Sequence, residues 1–351
     1  MVYFNRIRLR QTSAWLCCLF LTPNLYADWQ SGSPDSHAPI GVMGDHIHKE
    51  SEWMFSYRYM EMDMDTNKSG SDSINAREIV GTPTNPGSFL AAPTRMKTEM
   101  HMFGAMYAPT DRLTMMFSLP YISKEMDHIT RTGVKFTTNS EGFGDLKVAG
   151  LYDFFAILQE DTIHRFHLNL GLSVPTGSID NRDDTLNLDN NQKLGYPMHL
   201  GSGTFDLMPG ITYNAQNKTS PYTWGGQLMT TLRLGKNDNG YRQGNQLMTT
   251  GWLSRKWNEK ISTSMRLGYM YWGDVSGSDS DLNPNMIQIA DPDIQGGERV
   301  DLSLSLNYLF SDGYFAGQRL AIEMVKPVYQ DLNGSQLGSD LMLLFGWQRA
   351  Y

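Results

Sequence analysis

Cysteine is confined to Cys17 and Cys18 in a chain of 351 residues, and no run of 18 apolar residues occurs anywhere. The first scarcity leaves a secreted protein without internal disulfides once its leader is removed. The second excludes a helical membrane span, which needs about 20 apolar residues. Positive charge is in deficit too, with 29 Lys and Arg against 37 Asp and Glu, which argues against nucleic acid as a partner. Catalytic signatures are missing. There is no Gly-x-Ser-x-Gly, His-Glu-x-x-His or phosphate-binding loop, and none of the eight histidines is followed two residues later by Ser. An enzyme is not expected.

What is present begins with Arg6, Arg8 and Arg10, then the apolar run 14–21, then "TPNLYA" ending at Ala27. Basic residues, a short apolar core and a small residue in that order predict a secretory signal peptide over 1–27. Its removal leaves a mature chain free of cysteine, with 26 Lys and Arg against 37 Asp and Glu, a net charge of −11. Stability must then come from extensive backbone pairing or from a membrane.

The dominant pattern beyond residue 52 is strict alternation. "RVDLSLSLNYLF" sets Val300, Leu302, Leu304, Leu306, Tyr308 and Phe310 against Asp301, Ser303, Ser305 and Asn307. Period-two alternation makes a strand with one apolar and one polar face. Twelve such segments are expected, near 53–64, 95–108, 112–124, 144–155, 164–174, 203–214, 222–235, 244–256, 261–272, 299–310, 318–329 and 340–351. Most are longer than the five or six residues usual in a sandwich and match the 9–11 or so of a tilted strand crossing a bilayer. The fold class is therefore all-β, a transmembrane antiparallel barrel of about 12 strands over 53–351, preceded by a segment 28–52 that either hangs in the periplasm or plugs the lumen. Short links at 109–111 and 258–260 read as periplasmic turns, and the polar runs 65–94, 125–143, 175–202 and 273–298 as external loops. The final strand, "LMLLFGWQRAY", ends on Tyr351, as expected of a signal to the barrel-assembly machinery, with Arg349 at headgroup level. Trp53, Tyr107 and Trp347 are expected at one membrane interface and Tyr59, Tyr121 and Tyr271 at the other.

The stretches "EGFGDLKVAGLY" (Glu141–Tyr152), "GLSVPTGS" (Gly171–Ser178) and "GSGTFDLMPGI" (Gly201–Ile211) resemble the outer-membrane transporter family named after the MetA pathway of phenol degradation, within it a Met/His-rich subgroup. The resemblance implies a barrel in the outer membrane of a Gram-negative bacterium and a transport role. It supplies no functional residues.

Methionine is concentrated locally, with 12 of the 21 mature methionines in 43–126. A charge on the lipid face costs about 2–4 kcal/mol at the midplane, so Arg58 assigns even positions of the first three strands to the lumen. Met54, Met60, Met62, Met64, Met96, Met100, Met102, Met106 and Met116 then point inward. An antiparallel register summing to 160 sets Met54 opposite Met106, Met60 opposite Met100 and Met64 opposite Met96. Thioether and imidazole suit copper(I). These methionines, with Met43, His46 and His48 of "MGDHIH", form a candidate path or site for copper or another soft ion. Alternatively, methionine is adaptable filler in a narrow lumen. Arg58, Arg233 and Arg266 are expected as lumen charges.

No cofactor is required. Asp65-x-Asn67-x-Ser69-Gly70 and Asp279–Pro284 open like calcium loops but lack the closing ligand or turn glycine, and read as solvated carboxylates. Asp274, Asp279, Asp281, Asp291, Asp293 and Glu298 form an acidic rim that would repel anions. The expected function is a channel for a small solute or ion, with lipid and lipopolysaccharide around it. The alternative is a non-transporting barrel whose acidic loops bind surface ligands or lipopolysaccharide.

Overall fold

The computed structural model describes Trp29, residues 32–186 and residues 191–351, so the expected signal peptide lies outside the described residues. Twelve antiparallel strands form the wall: β1 Trp53–Met64, β2 Ala91–Thr110, β3 Leu113–Thr130, β4 Leu146–Gln159, β5 Thr162–Val174, β6 Phe205–Asn217, β7 Tyr222–Leu234, β8 Gln246–Lys256, β9 Ile261–Trp272, β10 Gly297–Leu309, β11 Gln318–Gly338 and β12 Leu341–Ala350. Each pairs with its sequence neighbours, and β1 pairs with β12 from Met54↔Ala350 to Asp63↔Leu341, closing the cylinder. Closure removes both sheet edges, which would otherwise leave backbone groups unpaired in hydrocarbon.

Alternation sorts the faces as expected. Phe103, Leu170, Leu267, Leu304 and Phe345 are exposed on the lipid side, whereas Ser56, Ser118, Thr212, Gln227, Ser264, Ser303 and Asn307 are buried inside. The β1–β2 register is the expected one, including Met54↔Met106, Met60↔Met100 and Met64↔Met96. Trp53 and Tyr107 pack with ring centroids 4.6 Å apart at the periplasmic end. Arg349, opposite Phe55, places its guanidinium 4.6 Å from the Tyr351 ring centroid, a cation–π contact suited to the interface. On the outer face, Tyr59 and His101 are followed by ion pairs of Lys97 with Glu61 (3.2 Å) and Glu99 (2.8 Å), and of Arg95 with Asp63 (2.9 Å). These charges mark where the wall leaves the hydrocarbon.

Several strands run further than the alternation suggested. β3 continues to Thr130 and pairs with an outer strand, Lys135–Phe143, so most of 125–143 is a hairpin instead of an irregular loop. β11 extends to Gly338, past a bulge between Leu332 and Ser335, and pairs with Thr66–Gly70. Residues 331–338, which lie between the expected segments 318–329 and 340–351, are therefore strand. Outside the bilayer both faces meet water or other loops, so the alternation that marks a lipid-facing strand disappears.

Residues 32–48 run through the interior, and their backbone is held by inward-facing side chains of the wall. Ser262 and Arg319 donate to the Pro34 carbonyl, Thr223 to that of Asp35, Gln227 to that of Met43, and Asn214 to that of Asp45. Asn169 and the His167 imidazole bond the Gly44 carbonyl. In the other direction, Gly41 N–H donates to Glu323 (2.7 Å) and His48 N–H to the Thr114 hydroxyl (3.0 Å). Ile40 seats over Gly346, where a Cβ would come within 2.4 Å of it, and Ala38 and Val42 pack on Trp252.

Two outcomes follow. Leu304→Arg, in the middle of β10 and 55% exposed to lipid, should destabilise the barrel by about 2–4 kcal/mol in urea titrations in lipid, with Leu304→Ala much milder; equal stability of Leu304→Arg and wild type would contradict the assigned face. Gly346→Val should unseat Ile40 and turn a nearly silent barrel into one with discrete ion steps in planar bilayers. Identical traces for both proteins would remove the inner segment as the barrier.

Candidate functional site

The inner segment divides the lumen into two cavities. The outer one, about 550 Å³, is lined by Met60, Met62, Met64, Met96, Met100, Met126, Met270 and Met342, with Ile122, Trp272 and Ile289. The inner one, about 450 Å³, lies toward the periplasm beside His37, His46 and His48. A third, much smaller space of about 10 Å³ lies around Met43, Asp45, Arg58 and Met116.

The methionines singled out from sequence thus fall into separate groups. Met60, Met62, Met64, Met96 and Met100 face the outer cavity. Met64 and Met96 pack with Met126, Leu194, Met198 and Ile289, the last three from loops folded over the mouth. Met54 and Met106 pack near the periplasmic end with Leu151, Ile47 and Met116. Met102 lies between them, opposite Arg58 and Pro120, and Met43 belongs to the inner segment. Met64 with Met96, and Met54 with Met106, thus belong to two separate packed clusters. His101, beside Met100 and Met102 in sequence, lies on the opposite face and bonds the Tyr57 hydroxyl at 2.7 Å. Met126, Met198, Met270 and Met342 were missed. Met126, Met270 and Met342 carry the parity of lumen positions on their strands, while Met198 lies in a loop whose fold no period announces.

Two of the inward arginines are paired locally. Arg266 pairs with Glu323 (2.6 Å), which also accepts from Ser303 (2.6 Å), and Arg233 pairs with Asp206. Arg58 points inward among these groups, its Nε buried without a hydrogen-bond partner. Around the outer cavity, Lys124 donates to the carbonyls of Pro197 (2.7 Å) and His199 (2.5 Å), and Arg299 pairs with Asp301 (2.9 Å). The acidic rim is also partly neutralised. Loop 273–298 has no base of its own, but Lys193 meets Asp279 at 2.6 Å and Arg182 meets Asp281 at 3.0 Å. Asn67 of the first calcium-like stretch bonds the Pro93 carbonyl and Gln288, which commits its side chain to loop packing.

Around the inner cavity, burial pushes His48 down to about 3, with His46 adding to the effect, and drives His37 well below its ordinary value, reinforced by Arg319. Burial alone would raise Asp45; His46, by charge and hydrogen bond, overcomes it and holds the carboxyl far below the usual range. His37 and His48 are thus held neutral beside an ionised Asp45 carboxylate.

The sequence matches none of the curated proteins. The structure is similar to the COG4313 outer membrane channel from Pseudomonas putida F1, with 12% identity, 89% of this chain and 100% of that chain covered, and a TM-score of 0.58. It is less similar to the P. putida toluene transporter TodX, at 9% identity, 87% and 91% coverage and a TM-score of 0.39. A family model described as putative MetA-pathway of phenol degradation matches residues 81–316. The chain is an outer-membrane β-barrel of a Gram-negative bacterium, and it belongs to the putative MetA-pathway of phenol degradation family.

Proposed function

We propose that this barrel is a passive channel for a small, uncharged, largely apolar solute, which it first collects in the outer cavity. The observation that carries this reading is the cavity's lining: eight methionines and several aliphatic residues, among polar groups of which Lys124, Arg299, Gln243, Gln288, Gln295 and Gln336 are already engaged by other protein groups. A charged solute would lose its hydration there and find few free partners, whereas an apolar one loses nothing. Thioether side chains are flexible and polarizable, so they adapt to rings of different shape. About 550 Å³ accommodates a single aromatic ring with room to reorient. The family description, which refers to phenol degradation, and the channel character of the P. putida F1 relative are in keeping with this. Passage requires the inner segment to shift, since it separates the two cavities.

A soft-ion route is the second reading, favoured by the in-register pairs Met60↔Met100 and Met64↔Met96. Met64 and Met96 are packed in an apolar cluster, which supports the first reading instead. A barrel that only binds surface ligands would take up neither class.

Met60→Glu should reduce uptake of an uncharged monoaromatic probe by expressing cells at least about fivefold, the effect of roughly 1 kcal/mol. Uptake equal to wild type would overturn the apolar reading. Replacing Met60 and Met100 together by Leu should leave monoaromatic uptake within about twofold and copper accumulation unchanged. A selective loss of copper accumulation would establish the soft-ion route in its place.

A further inference from the structure

The inner segment carries an imidazole cluster that the passage of an apolar solute does not use. His46 Nδ1 lies 2.8 Å from Asp45 Oδ1, and His48 Nδ1 lies 3.3 Å from Glu52 Oε2. Each ring therefore has a carboxylate on one nitrogen, and the remaining Nε2 atoms face each other at 3.2 Å. In the tautomers in which both Nδ1 atoms donate to their carboxylates, the two Nε2 atoms present lone pairs to each other. Two lone pairs at that distance repel unless a proton or a metal ion lies between them.

The spacing fits such an ion. Zinc–nitrogen bonds of about 2.0–2.1 Å in a tetrahedron place neighbouring donors about 3.3 Å apart, close to the observed separation. A carboxylate on the far nitrogen is the outer-shell arrangement that orients ligating histidines and raises their basicity. A third imidazole is close by. The His37 ring centroid lies 4.0 Å from that of His46, and His37 Nδ1 is buried without a hydrogen-bond partner. Ligand atoms of His37, Asp45 and His46 all fall within 4.8 Å of one another. The cluster borders the inner cavity, which provides an entry path from the periplasm and room for water as a further ligand.

We propose that His46 and His48, through their Nε2 atoms, bind a divalent imidazole-preferring transition-metal ion, Zn²⁺ by fit, with His37 as a third donor. Asp45 and Glu52 are positioning residues in this site. The ion cross-links the two ends of the segment 37–48 and so stiffens the element that fills the lumen. This site is separate from the methionines of the outer cavity and uses nitrogen donors only.

Titration of the full mature chain in detergent with Zn²⁺, followed calorimetrically, should reveal one saturable site, and Co²⁺ in its place should give the intense visible bands of tetrahedral coordination. Bound Zn²⁺ should raise the melting temperature, and a chelator should reverse this. His46→Gln with His48→Gln should abolish the site, while Glu52→Gln, which keeps every donor, should weaken it about 10–100-fold. Met60→Leu with Met100→Leu should leave it intact. Heat-modifiable migration on gels checks that each variant is a folded barrel. Absence of saturable Zn²⁺ binding by wild type, or undiminished binding by the folded double histidine variant, would overturn the proposal.

Discussion

In hydrocarbon, a backbone N–H or C=O without a partner costs several kcal/mol, and this constraint dictates the rest of the molecule. Twelve strands satisfy it by closing, β12 onto β1, so no edge remains. Closure makes the two-residue period of a strand a division between lipid and lumen. Leu302, Leu304 and Leu306 are committed outward and Ser303, Ser305 and Asn307 inward by the same geometry. The methionines between Met54 and Met106 acquire their inward direction in the same way, whatever they bind.

The same constraint applies inside the barrel, with the opposite solution. A chain passing through the lumen needs partners for its own carbonyls, and the wall supplies them with Ser, Thr, Asn, Gln and His side chains. The polar lumen is thus largely a mould for residues 32–48. Glu323 shows how closely the two are joined, since it neutralises Arg266, accepts from Ser303 and holds the Gly41 N–H. Few charges are left free to select ions, so the interior reads less as a charged filter than as a filled tube with an apolar antechamber. The outer methionines and the inner histidines line different cavities and have different donor chemistry.

How far the sequence could be read depended on where each residue lies. Within the bilayer, the pattern "RVDLSLSLNYLF" reported both the strand and its faces, and the β1–β2 pairing followed from matching faces and ends. Beyond the headgroups that signal stops. The extensions of β3 to Thr130 and β11 to Gly338 looked like loops, because neither face there needs to be apolar. Acidic residues in 273–298 looked unopposed because their partners, Lys193 and Arg182, come from a different loop. His37 and Asp45 were passed over for a related reason: their proximity to His46 arises from a fold of the inner segment that no period encodes.

The amino-acid sequence by itself determined the barrel, its strand number, the side of the wall each strand residue takes and the Met54, Met60 and Met64 cross-strand pairs, because lipid imposes a local two-residue rule that every membrane strand must obey. Only the tertiary structure decided that residues 32–48 occupy the lumen, that the methionines separate into outer and inner groups, that Arg233 and Arg266 are neutralised, and that His46 and His48 turn Nε2 atoms toward each other. Those features depend on contacts between residues distant in the chain, and no local periodicity records them.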